Sequence, residues 1–168
     1  MPSENILGAD NQQERLKTIG WIVGFVDGEG CFTVSIFKNP RAQRKLGWQV
    51  FPEFVVSQGE KSLKTLEIIK NYFKCGYIIK NKRKDNHHED MYKFCVRSLQ
   101  DLNIKIIPFF IKNKLKSAKQ KDFLIFRRIL KKINRKEHLN RKGLKKIAST
   151  ALLMNRKKRP KFSEILRD

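Results

Sequence analysis

Residues 21–30 read Trp-Ile-Val-Gly-Phe-Val-Asp-Gly-Glu-Gly, an apolar run in a very basic chain that ends in two carboxylates set among glycines. Upstream, Asp10 is followed three residues later by Gln13, the pattern of a helix start in which a side chain accepts at the cap and a polar residue reaches back. A helix from Asp10 runs through Leu16, Ile19, Ile22, Val23 and Val26, with Trp21 and Phe25 on its other sides. Apolar nearly all round, it is expected to be buried on all sides. Gly24 and Gly28 share one face. Glycine inside a helix costs about 1 kcal/mol against alanine, so the pair predicts one backbone lying directly against another. The same spacing packs helices in membranes, but Asp27 and Glu29 cut this run too short to span one.

Both acids sit at the C-terminal end of that helix, where the dipole is negative and each carboxylate costs a few tenths to about 1 kcal/mol. A bound divalent cation reverses the sign. The glycines open the backbone so that a carbonyl can face the same ion, and an all-oxygen set completed by water and phosphate suits magnesium. The competing reading is a helix end followed by a tight turn, with both carboxylates in solvent.

The 168 residues suffice for one domain with a sizeable core, and 12 of them are phenylalanine. Lys and Arg number 38 against 16 acids, a formal charge of +22. A balance this basic implies a polyanionic partner, most often nucleic acid. No stretch is long enough to cross a bilayer, so no membrane role is expected. The N-terminus, Met-Pro-Ser-Glu-Asn, carries no secretory pattern. Cys31, Cys75 and Cys95 are odd in number and unspaced for a metal, hence expected to be reduced, mostly buried thiols in an intracellular compartment. A preference for Lys, Ile and Asn suits an AT-rich gene, as in an organelle.

Beyond Gly30 the period changes from helical to alternating. Cys31–Asn39 reads as a strand with Phe32, Val34 and Ile36 to one side and Thr33, Ser35, Phe37 and Asn39 to the other. A connector with Arg41, Arg44 and Lys45 leads to a second strand, Gly47–Gln58. Its core side takes Val50, Phe54 and Val56; Gln49, Phe51, Glu53 and Val55 point away, and Pro52 marks an edge or a bulge. A helix over Ser62–Phe73 follows. Short strands at Tyr77–Lys82 and Met91–Arg97 then flank a polar turn. Within that turn, His87, His88, Glu89 and Asp90 suggest a metal site, but adjacent histidines in a turn seldom converge and zinc needs better-separated ligands. Leu99–Phe110 is expected to be a helix broken at Pro108, Ser117–Asn134 a clear amphipathic helix, and Leu139–Asn155 another; a short helix over Phe162–Leu166 ends the chain.

The expected class is α+β: four antiparallel strands with helices packed on one face, in one domain over residues 1–168. Residues 1–9 form an N-terminal arm and 156–168 a basic tail. The uncovered face carries Thr33, Ser35, Asn39, Gln49, Glu53, Lys93 and Arg97, with Asn81 and Arg83 at its margin. Amides and arginines on a strand ribbon suit the major groove of DNA, although a solvated face permits the same residues. Phe37 and Phe51 would pack together there or against thymine methyls.

Residues 22–30 resemble the nine-residue signature of LAGLIDADG homing endonucleases, with Ile22-Val23 in place of Leu-Ala and Glu29 at the last acidic position. Pro108-Phe109-Phe110 followed by Lys119-Gln120-Lys121-Asp122-Phe123 is similar to the segment leading into that family's fourth helix. Glu137-His138-Leu139, residues 143–147 and Met154-Asn155 resemble the C-terminal helix of organellar members. The resemblance covers nearly the whole chain and implies an αββαββα fold. It further implies a homodimer joined through Trp21, Gly24, Phe25, Asp27 and Gly28, cutting both strands of a long, nearly palindromic DNA site. Glu29 and the Gly28 carbonyl would hold Mg²⁺, with Mn²⁺ or Ca²⁺ able to substitute for binding. By position, Gln58 orients water and Lys119 stabilises developing phosphate charge, with Lys116 and Lys121 as close competitors, while Asp27 is structural. Homing of an intron in a chloroplast or mitochondrion is the implied biology. A non-catalytic binder of the same fold, acting on intron RNA or as a DNA-binding regulator, is the rival reading.

Overall fold

The computed structural model describes residues 4–39, 46–81, 90–154 and Ile165, with backbone alone for residues 4–10. Helix α1 (Glu4–Glu29) runs straight into β1 (Gly30–Lys38), and β2 (Trp48–Gly59) returns beside it. A 3-10 turn and α2 (Leu63–Phe73) lead to β3 (Tyr77–Asn81) and β4 (Met91–Val96). The remainder is helical: α3 (Leu99–Asp101), a widened turn over Leu102–Ile106, α4 (Ile107–Lys112), α5 (Lys119–Asn134) and, after a second 3-10 turn, α6 (Arg141–Ala151).

The strands form one antiparallel sheet in the order β1-β2-β4-β3. Its register decides which residues share a face. Phe32 lies opposite Phe54, Val34 opposite Pro52 and Ile36 opposite Val50, so these line the side against which α1, α2 and α5 pack. Phe32 is the hub, its ring 5.1–5.5 Å from those of Phe54, Phe110, Phe123 and Phe126. The helices earn this contact by spacing: Leu66, Ile69 and Phe73 on α2, and Phe123, Phe126, Ile129, Leu130 and Ile133 on α5, are buried. Each buried side chain of this size contributes about 1.5–3 kcal/mol of apolar transfer.

Several sequence expectations are corrected. The first helix already includes Glu4 rather than starting at Asp10, so residues 4–9 are helical rather than an arm; Leu7 and Ala9 favour helix. Nor is α1 buried on all sides within one chain. Ile22 and Val26 are sealed in the core, but residues 11–17, Gly20, Trp21, Gly24 and Gly28 are exposed. Pro52 makes no bulge, for the ladder runs unbroken from Gly30↔Val56 to Lys38↔Trp48. It does occupy a local edge, because β4 pairs with β2 only from Phe54 onward and leaves residue 52 no neighbour on that side. Pro108 does not break its helix. The Ile107 N–H donates five residues back to Leu102, a widened turn after which Pro108 falls in the first turn of α4, where its missing N–H is no loss. Cys31 is exposed, while Cys75 is half-buried and Cys95 buried; none of the three is in a disulfide. The expected helix at 162–166 lies outside the described residues apart from Ile165, which is buried.

Candidate active site

Glu29 closes α1 and Gly30 opens β1 with no residue between them. A Cβ on Gly30 would lie 2.5 Å from Val26 Cγ1 and 2.8 Å from Val26 O, so only glycine lets the strand leave the helix this sharply. The turn fixes the Glu29 backbone where helix meets sheet. Glu29 is exposed and makes no ion pair among the described residues.

Asp27 is differently placed. Its carboxylate accepts from the Lys116 N–H at 2.7 Å, from the Ser117 N–H at 3.1 Å and from Ser117 Oγ at 2.6 Å. Ser117 Oγ in turn accepts from the Lys119 N–H at 3.2 Å, tying the carboxylate to the entrance of α5, where the dipole is positive. Burial pushes the Asp27 carboxyl up, but the bonds from Ser117 and Lys116 and the charge of Lys119 outweigh it and hold the group below the ordinary carboxylate value.

Lys119 reaches back from the first turn of α5 across the end of α1. Its Nζ donates to Gly28 O at 3.0 Å and to Val26 O at 3.1 Å, carbonyls in the last turn of the helix. Among Lys116, Lys119 and Lys121, it is the Lys119 side chain that bonds here; Lys116 contributes its backbone N–H, and both competitors are exposed. Gln58 lies near the end of β2. It follows Val56, the partner of Gly30, by two residues on the same face of β2, at the level where α1 ends. The Lys119 ammonium thus meets the Gly28 carbonyl at the end of α1, one residue before Glu29.

The donor chemistry fits a hard cation. Glu29 and the Gly28 carbonyl are oxygen donors, and a carbonyl that accepts from lysine keeps a second lone pair. Among the described residues no cluster of three His, Cys, Asp or Glu side chains occurs, so further ligands would come from a second unit, phosphate or water. His87, His88 and Glu89 lie outside the described residues, as do Arg41, Arg44 and Arg83. Asp90 pairs with Lys80 at 2.7 Å.

On the uncovered sheet face the strands present Thr33, Ser35 and Phe37; Gln49, Phe51, Glu53 and Val55; Lys93 and Cys95; and Tyr77, Ile79 and Asn81. Arg97 follows directly after β4 and pairs with Glu53. That hydrogen bond, against an opposing effect of burial, raises the guanidinium pKa. Asn39 Nδ2 donates to Gln49 Oε1 at 2.8 Å, and the Phe37 and Phe51 rings stand 6.3 Å apart, so these two do pack together. At the other margin of α1, adding a Cβ to Gly20, Gly24 or Gly28 would meet nothing within 4 Å. The Trp21 and Phe25 rings, 5.5 Å apart, border that bare strip. Sequence reasoning did not find Ser117 or Tyr77. A serine two residues before a helix is a capping signal, whereas Tyr77 carries no local signal at all.

Comparison with known proteins points the same way. Residues 22–130 match the family model described as LAGLIDADG endonuclease. A protein of Neurospora crassa called probable intron-encoded endonuclease 2 is 37% identical over 136 residues, 80% of this chain but 28% of its own length. The chain therefore spans less than a third of that relative. Among solved structures, the homing endonuclease I-TnaI superimposes with a TM-score of 0.80 at 38% identity, over 89% of this chain and 95% of that one. I-SmaMI, bound to an uncleaved DNA target in the presence of calcium ions, gives 0.71 at 36% identity, over 80% of this chain and 43% of that one. This chain, whose apolar helix ends in a glycine-flanked acid beside a lysine and a four-stranded antiparallel sheet, belongs to the LAGLIDADG endonuclease family.

Proposed function

We propose that the protein is a site-specific double-strand DNA endonuclease that works as a pair of identical units and requires Mg²⁺. The observation that supports this reading is the Lys119 ammonium on the Gly28 carbonyl at the end of α1, next to the exposed Glu29. Glu29 and Gly28 O would hold the ion. When bound, it supplies an activated water and neutralises charge on the leaving oxygen of an in-line displacement. Gln58 orients that water through its amide. Lys119, released from one of its two carbonyls, donates to the non-bridging phosphate oxygen on which charge develops. Asp27 keeps Lys119 in reach by anchoring the start of α5.

Cutting two strands needs two such corners, and the described residues form one. The bare strip of Gly20, Gly24 and Gly28, with Trp21 beside it, is where a second α1 would lie backbone to backbone. That I-TnaI is matched over 95% of its length and I-SmaMI over 43% is in keeping with one unit per chain in the first and more than one in the second. Intron homing, an organellar location and a nearly palindromic target belong to the same proposal, supported by intron-encoded relatives. The sheet face, with its amides, hydroxyls and Lys93, takes the major groove.

Two experiments test this. Incubation with a randomised DNA library should yield double-strand ends at one recurrent sequence with Mg²⁺ and none with chelator; selective binding without ends under any divalent ion would favour the non-catalytic reading. In sedimentation, Gly24→Leu should convert dimers to monomers. A wild-type chain that is already monomeric would instead place the second unit in a longer polypeptide.

A further inference from the structure

Arg97 stands where the β2–β4 register, continued one step beyond Phe54↔Val96, faces Glu53. Its Nε donates to Glu53 Oε2. Its guanidinium carbon lies 5.2 Å from the centre of the Phe51 ring and 5.5 Å from that of Tyr77. Phe37 backs Phe51 from β1. One cation is therefore held by groups from β2 and β3 while sitting at the end of β4. The arginine side chain keeps 38% of its surface exposed against 17% for Glu53, so the guanidinium, not the carboxylate, is the outward group.

We propose that Arg97 is a pre-set reader of a single guanine in the DNA target. The proposal rests on the reading of this sheet as the DNA-binding face. With Nε engaged by Glu53, the two terminal amino groups make no hydrogen bond among the described residues and remain as two parallel donors for a base edge. In the major groove only guanine offers two adjacent acceptors, O6 and N7, to such a fork. Adenine puts an amino donor beside N7, thymine has a lone carbonyl beside a methyl, and cytosine a donor. An ordinary surface arginine loses side-chain freedom when it binds. Here two rings and a carboxylate have already fixed the plane, so less freedom is lost on binding and a misaligned base is tolerated less. A surface ion pair by itself would be a weak reason for this arrangement. The two flanking rings and the remaining fork make it a recognition device.

The test is selection of cleavable or bound sites from a randomised DNA library by the full chain and by Arg97→Ala, Arg97→Lys and Glu53→Gln. Wild type should show a guanine at one position of each half-site, favoured on the order of 10- to 100-fold over other bases. Arg97→Ala should flatten that position alone. Arg97→Lys, which keeps the charge and guards against a folding defect, should also lose most of the preference, since an ammonium lacks the fork. Glu53→Gln should weaken the preference while leaving overall affinity equal or higher, because a negative charge is removed from the DNA side. A uniform loss of affinity with an unchanged profile would reassign Arg97 to a phosphate and overturn the proposal. So would an unchanged profile with a lowered melting temperature, which would leave the stack a purely structural pairing. A wild-type chain that selects no site at all would sink the DNA-binding reading itself along with this one.

Discussion

Two carboxylates, separated by Gly28 in the last turn of α1, meet opposite fates. On one side of the turn Asp27 is met by two backbone N–H groups and a hydroxyl at the entrance of α5, and its ionised form is favoured. On the other side Glu29 stands exposed at the same negative helix end, with no ion pair among the described residues. Since the helix dipole acts on both, the difference comes from tertiary structure: α5 brings its positive end to one acid and leaves the other for something not part of the fold. Lys119 lies between them, its amide on the Asp27 side through Ser117 and its ammonium on the Gly28 carbonyl next to Glu29. Structure is secured on the Asp27 side, and the proposed reactivity falls on the Glu29 side.

The sharpest way to break this contrast is Glu29→Gln. If Glu29 holds the ion, its loss should lower cleavage at least about a thousandfold, several kcal/mol of charge stabilisation. DNA affinity and melting temperature should be unchanged, because the carboxylate takes part in no ion pair among the described residues. Single-turnover cleavage on a selected site measures the first; a variant that still cuts well would move the site elsewhere. Lys119→Met comes next. Removal of one pre-placed donor should cost about 10²- to 10³-fold in rate. Here stability should fall too, by roughly 0.5–1 kcal/mol, because two carbonyls at the end of α1 lose their cation. If melting drops and the rate does not, Lys119 is a helix cap and nothing more.

How far these roles can be read from sequence differs residue by residue. The strands announced themselves through alternation: Phe32, Val34 and Ile36 against Thr33, Ser35 and Phe37 is a local pattern, and the register keeps it. The acid at the end of an apolar helix was legible as an anomaly against the dipole rule. What no local rule separates is Asp27 from Glu29, since the partner of Asp27 lies 90 residues away at Ser117. The same holds for Arg97, whose partners Glu53 and Tyr77 are fixed only once the strand order is known. Pro52 shows the limit in another way. The rule that proline avoids central strands is correct, but β2 is central for part of its length only, and that depends on where β4 stops. The burial of α1 was overestimated for a related reason, since an apolar helix gives no sign of whether its cover comes from the same chain.

The smallest expected effect isolates the structural side of the contrast. Asp27→Asn keeps size and polarity but replaces one acceptor oxygen by a donor that faces the Lys116 and Ser117 N–H groups. The loss should be about 1–2 kcal/mol, the worth of charge-assisted hydrogen bonds reduced by partial exposure. Its sign with pH follows from the lowered carboxyl. Folding holds the Asp27 pKa below its unfolded value, so the stabilisation is complete above that value, near pH 4, and decays as pH falls through the folded one. Wild type and Asp27→Asn should therefore differ by a constant amount in urea unfolding from about pH 5 upward, and the two curves should converge in more acid solution. If the gap instead stayed level into strong acid, the ionised form of Asp27 would not be what anchors α5, and its difference from Glu29 would be one of position alone.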